Sequence, residues 1–139
     1  MSFSGAKLLL NSGSEALTYL RGDKPGLPWA AKWDLPGGGR EGQESPESCA
    51  LRELEEEFGL RLGPERLLWR RAFPTVDVPG KVGWFFAGRI SAAEIAGIRF
   101  GDEGQFWRMM PFAAWLAHPD AVPDLQVRSR IALGELGWT

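Results

Sequence analysis

Residues 52–60 read Arg-Glu-Leu-Glu-Glu-Glu-Phe-Gly-Leu, which crowds four carboxylates into positions 53–57. On a helix turning about 100° per residue, Glu53, Glu56 and Glu57 share one arc of about 100°, while Leu51, Leu54 and Phe58 form a separate apolar stripe. Glu55 belongs to neither group and is expected to face solvent, and Arg52, one turn before Glu56, can brace its carboxylate. Close carboxylates repel, and their pKa values rise unless positive charge compensates. A hard divalent cation such as Mg²⁺ or Mn²⁺, which prefers carboxylate and carbonyl oxygens, supplies that charge. Taken alone, such a cluster is more often a solvated helix face, so the surrounding residues decide.

The elements that must carry these side chains are readable. Ser45 can cap a helix, Pro46 fits its first position, Glu47 suits the N-terminal dipole, and Gly59 ends it after Phe58. Upstream, 6–11 and the alternating 15–21 read as strands around a Ser-Gly-Ser turn, followed by a Gly/Pro/Trp-rich exposed loop over 22–32, a short strand and a glycine loop. Downstream, 66–73 and 81–90 read as strands separated by a Pro/Gly loop. Ser91 opens a short helical turn to Ala96, and 105–110 reads as a further strand. Residues 111–116 and 124–136 read as helices, the second an amphipathic helix docking at the C-terminus. Neither repeats nor a linker divide the chain, and one mixed α/β domain over 1–139 is expected.

Composition narrows the chemistry. A formal net charge of −2 gives no bulk case for nucleic-acid or anionic-membrane binding, and the Trp69–Arg71 cluster reads as a strand end. No stretch approaches the ~18 apolar residues of a membrane span, and the N-terminus lacks a leader pattern, so a cytoplasmic protein is expected. The lone cysteine, Cys49, excludes a disulfide framework and a thiolate zinc site and reads as a small semi-buried residue. The lone histidine, His118, reads as loop surface beside a proline, which argues against histidine-based metal triads and Ser–His–Asp chemistry. Gly37, Gly39 and Gly42 satisfy the G-x-G-x-x-G spacing of dinucleotide sites. The helix starts several residues too late for that fold, and the glycines suit a flexible loop approaching metal and phosphates.

From Gly38 the chain runs through five residues to Glu44, through seven more to Arg52, and then Glu53, Leu54, Glu56, Glu57, Gly59 and Leu60 in fixed register. This resembles the full Nudix box, with all nine specified positions matched; a chance match is on the order of 10⁻⁸ to 10⁻⁷ at average residue frequencies. The similarity is strong over 33–60 and looser elsewhere. Gln43 stands where many relatives have glycine.

The resemblance implies an α+β Nudix fold, a mixed β-sheet sandwiched between helices. It implies a MutT-like, metal-dependent hydrolase cutting a phosphoanhydride bond in a nucleoside diphosphate linked to another moiety. Glu53, Glu56 and Glu57, with the Gly37 carbonyl, would hold Mg²⁺ (or Mn²⁺), Arg52 would hold a glutamate in place, and Glu44 would support the loop–helix junction. The general base would be Glu53 or Glu103, the latter from the later loop. Arg21 stands where relatives hold a phosphate, and the Gly38 backbone approaches substrate. Trp29, Trp33, Phe73 and Trp84 are the aromatic candidates for stacking on a base. A nucleoside triphosphate or an oxidised one is the first expectation and an ADP-sugar-like substrate the second. Some relatives keep the fold as nucleotide sensors or interaction modules, usually with degraded glutamates. The expected partner is a small-molecule nucleotide, with no nucleic acid and no membrane, and a homodimer is implied by the resemblance alone.

Overall fold

The computed structural model describes residues 2–75 and 78–138; the Pro/Gly connection expected between the strands near 74 and 81 includes 76 and 77, which lie outside these. Chain order is β1 (Phe3–Ser12), β2 (Glu15–Arg21), β3 (Trp33–Asp34), β4 (Gly37–Gly39), α1 (Pro46–Phe58), β5 (Trp69–Pro74), β6 (Val82–Arg89), α2 (Ala92–Ala96), β7 (Gly104–Pro111), α3 (Phe112–Ala117) and α4 (Pro123–Leu136). The sheet is mixed. β1 runs parallel to β6, while the β1–β2, β1–β4, β2–β3, β2–β7 and β5–β6 pairs are antiparallel.

Its distinctive feature is a fork. β1 and β2 pair only at Asn11–Ala16 and Ser12–Glu15 before they separate. The segment 33–39 fills the gap, with β3 hydrogen-bonding to β2 and β4 to the first half of β1. The expected glycine loop at 37–39 is therefore a strand. Gly37 sits at φ 132°, and a Cβ there would collide with the carbonyl of Ala6, so only glycine brings this backbone flush against β1.

Alternation in β1 and β6 splits the core. Leu8, Leu10 and Phe86 face α1, where they meet Cys49, Ala50, Leu54 and Phe58. Leu9, Phe85 and Ala87 face the other way, against Trp115, Leu125, Ala132 and Leu133 of α3 and α4. Each large side chain so buried contributes about 1.5–3 kcal/mol, which fixes α1 rigidly on one face. Helix α1 has the expected ends: Ser45 Oγ accepts the Ser48 N–H at 3.1 Å, and Gly59, left-handed at φ 66°, donates to the Glu55 carbonyl at 2.9 Å. The strand expected from 66 begins at Trp69, because Pro64–Arg66 forms a 3₁₀ turn. Among the described residues, no helix is long and apolar enough to cross a membrane.

Candidate active site

Arg52 is the hub of the α1 carboxylates. Its Nε donates to Glu44 Oε2 at 2.6 Å and its Nη2 to Glu44 Oε1 at 3.1 Å, while Nη1 reaches Glu53 Oε1 at 2.9 Å and Glu56 Oε2 at 3.1 Å. The Gly39 carbonyl accepts from Nη2 at 2.8 Å, so one guanidinium ties α1 to β4 and to the loop between them. These bonds hold the Glu44 carboxyl below its ordinary range. Glu55, outside the cluster, is exposed and pairs with Arg61 at 2.8 Å.

Glu53 lies against the glycine strand. A Cβ on Gly38 would fall 2.6–2.8 Å from its carboxylate, so a larger residue here would push the Glu53 carboxylate out of place. Burial raises the Glu53 pKa, with Arg52 opposing and Glu56 and Glu103 adding to the rise. Glu57 is 8% exposed, and its Oε1 accepts the Gly37 N–H at 2.9 Å. Burial pushes it up to about 8 against the pull of Lys7 and of the Gly37 amide. Glu103 is carried to the same side by the loop after α2: Arg99 N–H donates to the Phe58 carbonyl at 2.8 Å and Gly101 N–H to the Glu57 carbonyl at 2.9 Å.

A pH prediction follows from Glu57. The unfolded carboxyl titrates near 4.5, while the folded one holds its proton to about 8. Between those values the folded chain binds the extra proton, so stability falls as pH rises through this window. Thermal melts in EDTA at constant ionic strength are expected to drop steadily from pH 5 to 9, and Glu57→Gln to flatten the curve. The same slope in that variant would remove Glu57 as its source.

The fork itself is polar. Asp34, 2% exposed, accepts on Oδ2 from Lys7 Nζ at 3.0 Å, Arg21 Nη1 at 2.8 Å and Tyr19 Oη at 3.2 Å, and on Oδ1 from the Leu35 N–H at 2.7 Å. Arg21 is thus an ion-pair partner at the fork, with its Nε also on the Pro28 carbonyl at 3.0 Å. Hollows run beside it. One of about 100 Å³ is bordered by Tyr19, Glu56, Glu57 and Glu103. A second of about 600 Å³ joins it along Tyr19 and Glu103 and extends past Arg21. A third of about 190 Å³ continues from Arg21 to Lys7, Trp29, Asp34, Asp124 and Arg128. A separate open depression of about 550 Å³ runs along the other flank of α1 by Glu55, Arg61 and Arg70, away from Glu53 and Glu57.

Two aromatic expectations need correcting. Trp33 is only 7% exposed, because β3 fills the fork and the indole enters the α3–α4 core, with Phe106 edge-on at 5.5 Å. It offers no free face to a base. Trp84 lies on the α1 face of the sheet, stacked on Phe86 at 6.1 Å and apart from the hollows. Trp29 is 49% exposed at the mouth of the third hollow, in a left-handed conformation at φ 54°. Phe73 is half-buried, edge-on to Phe85, with the Arg128 guanidinium 5.1 Å from its ring. Cys49 is fully buried rather than semi-buried, its thiol pushed up to about 11 by burial, and is unreactive. His118 Nδ1 accepts the Asp120 N–H at 3.0 Å, which turns it inward on its own loop. Sequence reasoning does not find Lys7, Tyr19 and Asp34; the available signal is a lysine directly before the apolar run Leu8–Leu10 of β1.

Among the described residues, no trio of carboxylate, imidazole or thiol groups stands as a preformed cation cage. Arg52 draws Glu53 and Glu56 to itself, and Glu57 turns in to the Gly37 amide. The donor set nevertheless suits a hard divalent ion: it consists of carboxyl oxygens from Glu53, Glu56, Glu57 and Glu103, gathered where Arg52 supplies a single positive charge.

Comparisons with known proteins assign the chain to a family. The NUDIX domain profile matches residues 5–129, and the chain belongs to the Nudix family. Among curated relatives, it is 48% identical over 48 residues to "Putative 8-oxo-dGTP diphosphatase 3" of Mycobacterium tuberculosis, covering 34% of this chain and 21% of that protein. It is 35% identical over 89 residues to an RNA pyrophosphohydrolase of Tolumonas auensis, covering 52% of this chain and 50% of that one. The chain thus spans half or less of the length of these relatives. Of solved structures, the MutT protein of Methanosarcina mazei superposes with TM-score 0.69 at 20% identity, covering 91% of this chain and 89% of that chain. A Caenorhabditis elegans Ap4A hydrolase superposes with TM-score 0.72 at 17% identity and 96% coverage of both.

Proposed function

We propose that this protein is a divalent-metal-dependent hydrolase that cuts a phosphoanhydride bond in a nucleoside diphosphate linked to another moiety. The observation that carries this reading is the Arg52 hub, which fixes Glu53 and Glu56 beside the buried Glu57 at the edge of a hollow. Glu53, Glu56 and Glu57 would hold Mg²⁺ or Mn²⁺. Such an ion, when bound, neutralises the diphosphate and acidifies water. The chain supplies the rest. Arg52 positions two of the carboxylates through charge-assisted bonds, and Glu44 buttresses Arg52 from the loop. Glu53, its pKa raised by burial and one oxygen fixed by Arg52, is suited to accept the proton of the attacking water; Glu103, across the hollow, is the second candidate.

A nucleoside triphosphate, in the first instance an oxidised one, is the proposed substrate class. Support comes from the 8-oxo-dGTP diphosphatase name of one relative and from the hollow beyond Arg21 with exposed Trp29 at its mouth. Arg21 would meet phosphate, the Gly38 backbone would approach it, and Trp29 and Phe73 would border the base. An ADP-sugar-like substrate ranks second, in line with the ADP ribose pyrophosphatase activity in the name of one Francisella tularensis structure. In this reading residues 1–139 form one domain acting in the cytoplasm on a small-molecule nucleotide.

The test is phosphate and pyrophosphate release over a nucleotide panel, including oxidised and diphospho-sugar nucleotides, with Mg²⁺, Mn²⁺ or EDTA. Metal-dependent release from one class is expected. Silence across the panel with nucleotide still bound would replace the hydrolase with a nucleotide sensor.

A further inference from the structure

Lys7 sits mid-strand in β1, where its ammonium uses all three of its donors: Asp34 Oδ2 at 3.0 Å, the Leu35 carbonyl at 3.2 Å and the Gly37 carbonyl at 3.2 Å. Its side chain is 20% exposed, and it stands 6.0 Å from the centre of the Tyr19 ring. Neutralising Asp34 does not require it, because Arg21 already meets the same oxygen at 2.8 Å. Two cations therefore share one carboxylate, and the surplus positive charge rests beside Gly37 and within electrostatic reach of Glu57.

We propose that Lys7 is the resident cation of the Gly37 carbonyl, so that divalent ions bind this chain through the α1 carboxylates without that oxygen as a ligand. Two observations converge. The Gly37 carbonyl is occupied by a saturated, half-enclosed ammonium, and a divalent ion on the same oxygen would stand a few ångströms from a like charge. Gly37 is also engaged on its other side, its N–H donating to Glu57, and its backbone is paired with β1 at Lys7 itself. The inference rests on the metal-dependent reading above and narrows it: a lysine supplies one positive charge of the site permanently.

The experiment is crystallography of the full chain with Mn²⁺, located by anomalous scattering, for the wild type and Lys7→Met, with bound ions counted in solution by electron paramagnetic resonance. In the wild type, Mn²⁺ is expected on the glutamates, with none at a coordinating distance of about 2.1–2.2 Å from the Gly37 oxygen. Lys7→Met is expected to gain one ion per chain, bound to that oxygen. Mn²⁺ on the Gly37 oxygen of the wild type, with Lys7 displaced, overturns the inference and leaves the metal reading intact. An unchanged ion count in a folded Lys7→Met protein also overturns it. Absence of Mn²⁺ from the glutamates in both proteins removes the metal reading and this inference together. Should Lys7→Met fail to fold, the wild-type anomalous map decides by itself.

Discussion

Glu56→Gln combined with Glu57→Gln is expected to lower kcat at least about 10³-fold while leaving the fold intact. A bound divalent ion is worth several kcal/mol of transition-state charge stabilisation, and each ~1.4 kcal/mol is a factor of ten. Glutamine keeps the volume and one carbonyl oxygen, so the Gly37 N–H retains its partner. Glutamine also removes a buried carboxylate held up to about 8, so the variant should melt no lower than the wild type above neutral pH in EDTA. The decisive comparison is turnover in saturating Mg²⁺ against thermal midpoint. Full turnover in the folded double variant would sink the metal-dependent mechanism; lost turnover with an early melt would show only that the helix had failed.

Arg52 should show the second largest effect, through geometry rather than contact with substrate. Arg52→Ala leaves Glu44, Glu53 and Glu56 facing one another without the guanidinium that joins them. A loss of about 10²–10³ in kcat is expected, with about 1–3 kcal/mol of stability, discounted from the cost of breaking a fully buried pair because the site is partly solvated. Arg52→Lys is the informative variant. One ammonium cannot fork onto Glu44 while also bridging Glu53 and Glu56, so it should recover stability more fully than activity. A positioning role also predicts a raised Mg²⁺ requirement in both variants, measured as the metal concentration at half-maximal rate. Unaltered metal dependence, with kcat alone reduced, would assign Arg52 to the reacting atoms instead.

The parts of the molecule that were legible in the sequence are those encoded locally. Ser45, Pro46 and Gly59 act within a few residues of themselves, and the arc shared by Glu53, Glu56 and Glu57 follows from helical pitch. The fork was not legible, because it depends on where β1 and β2 stop pairing, and no residue near Asn11 or Ala16 announces that. Everything gathered at the fork was lost with it. Lys7 and Asp34 lie 27 positions apart and meet only because 33–39 enters the gap. Trp33 shows the converse failure: an aromatic beside a glycine loop has the chemistry of a stacking residue, yet a strand covered on both faces has no exposed side to give it. A glycine run such as 37–39 favours a loop on sequence grounds, whereas here the missing side chains are what let two backbones and the Glu53 carboxylate come together.

The fork also divides the molecule's inheritance. The carboxylate helix is fastened to β1 and β4, whereas the 22–32 loop, β3 and β7 hang from β2, and β1 and β2 pair directly only over a short stretch of ladder at their base. Substitutions and insertions that accumulate on the β2 side can reshape the mouth around Trp29 without disturbing the spacing of Arg52 and its glutamates. Descendants of such a chain could drift from one nucleotide to another while the cutting end stayed under constant selection, and laboratory evolution toward a new leaving group should find its adaptive changes at 22–32 and 104–106 before it finds any on α1.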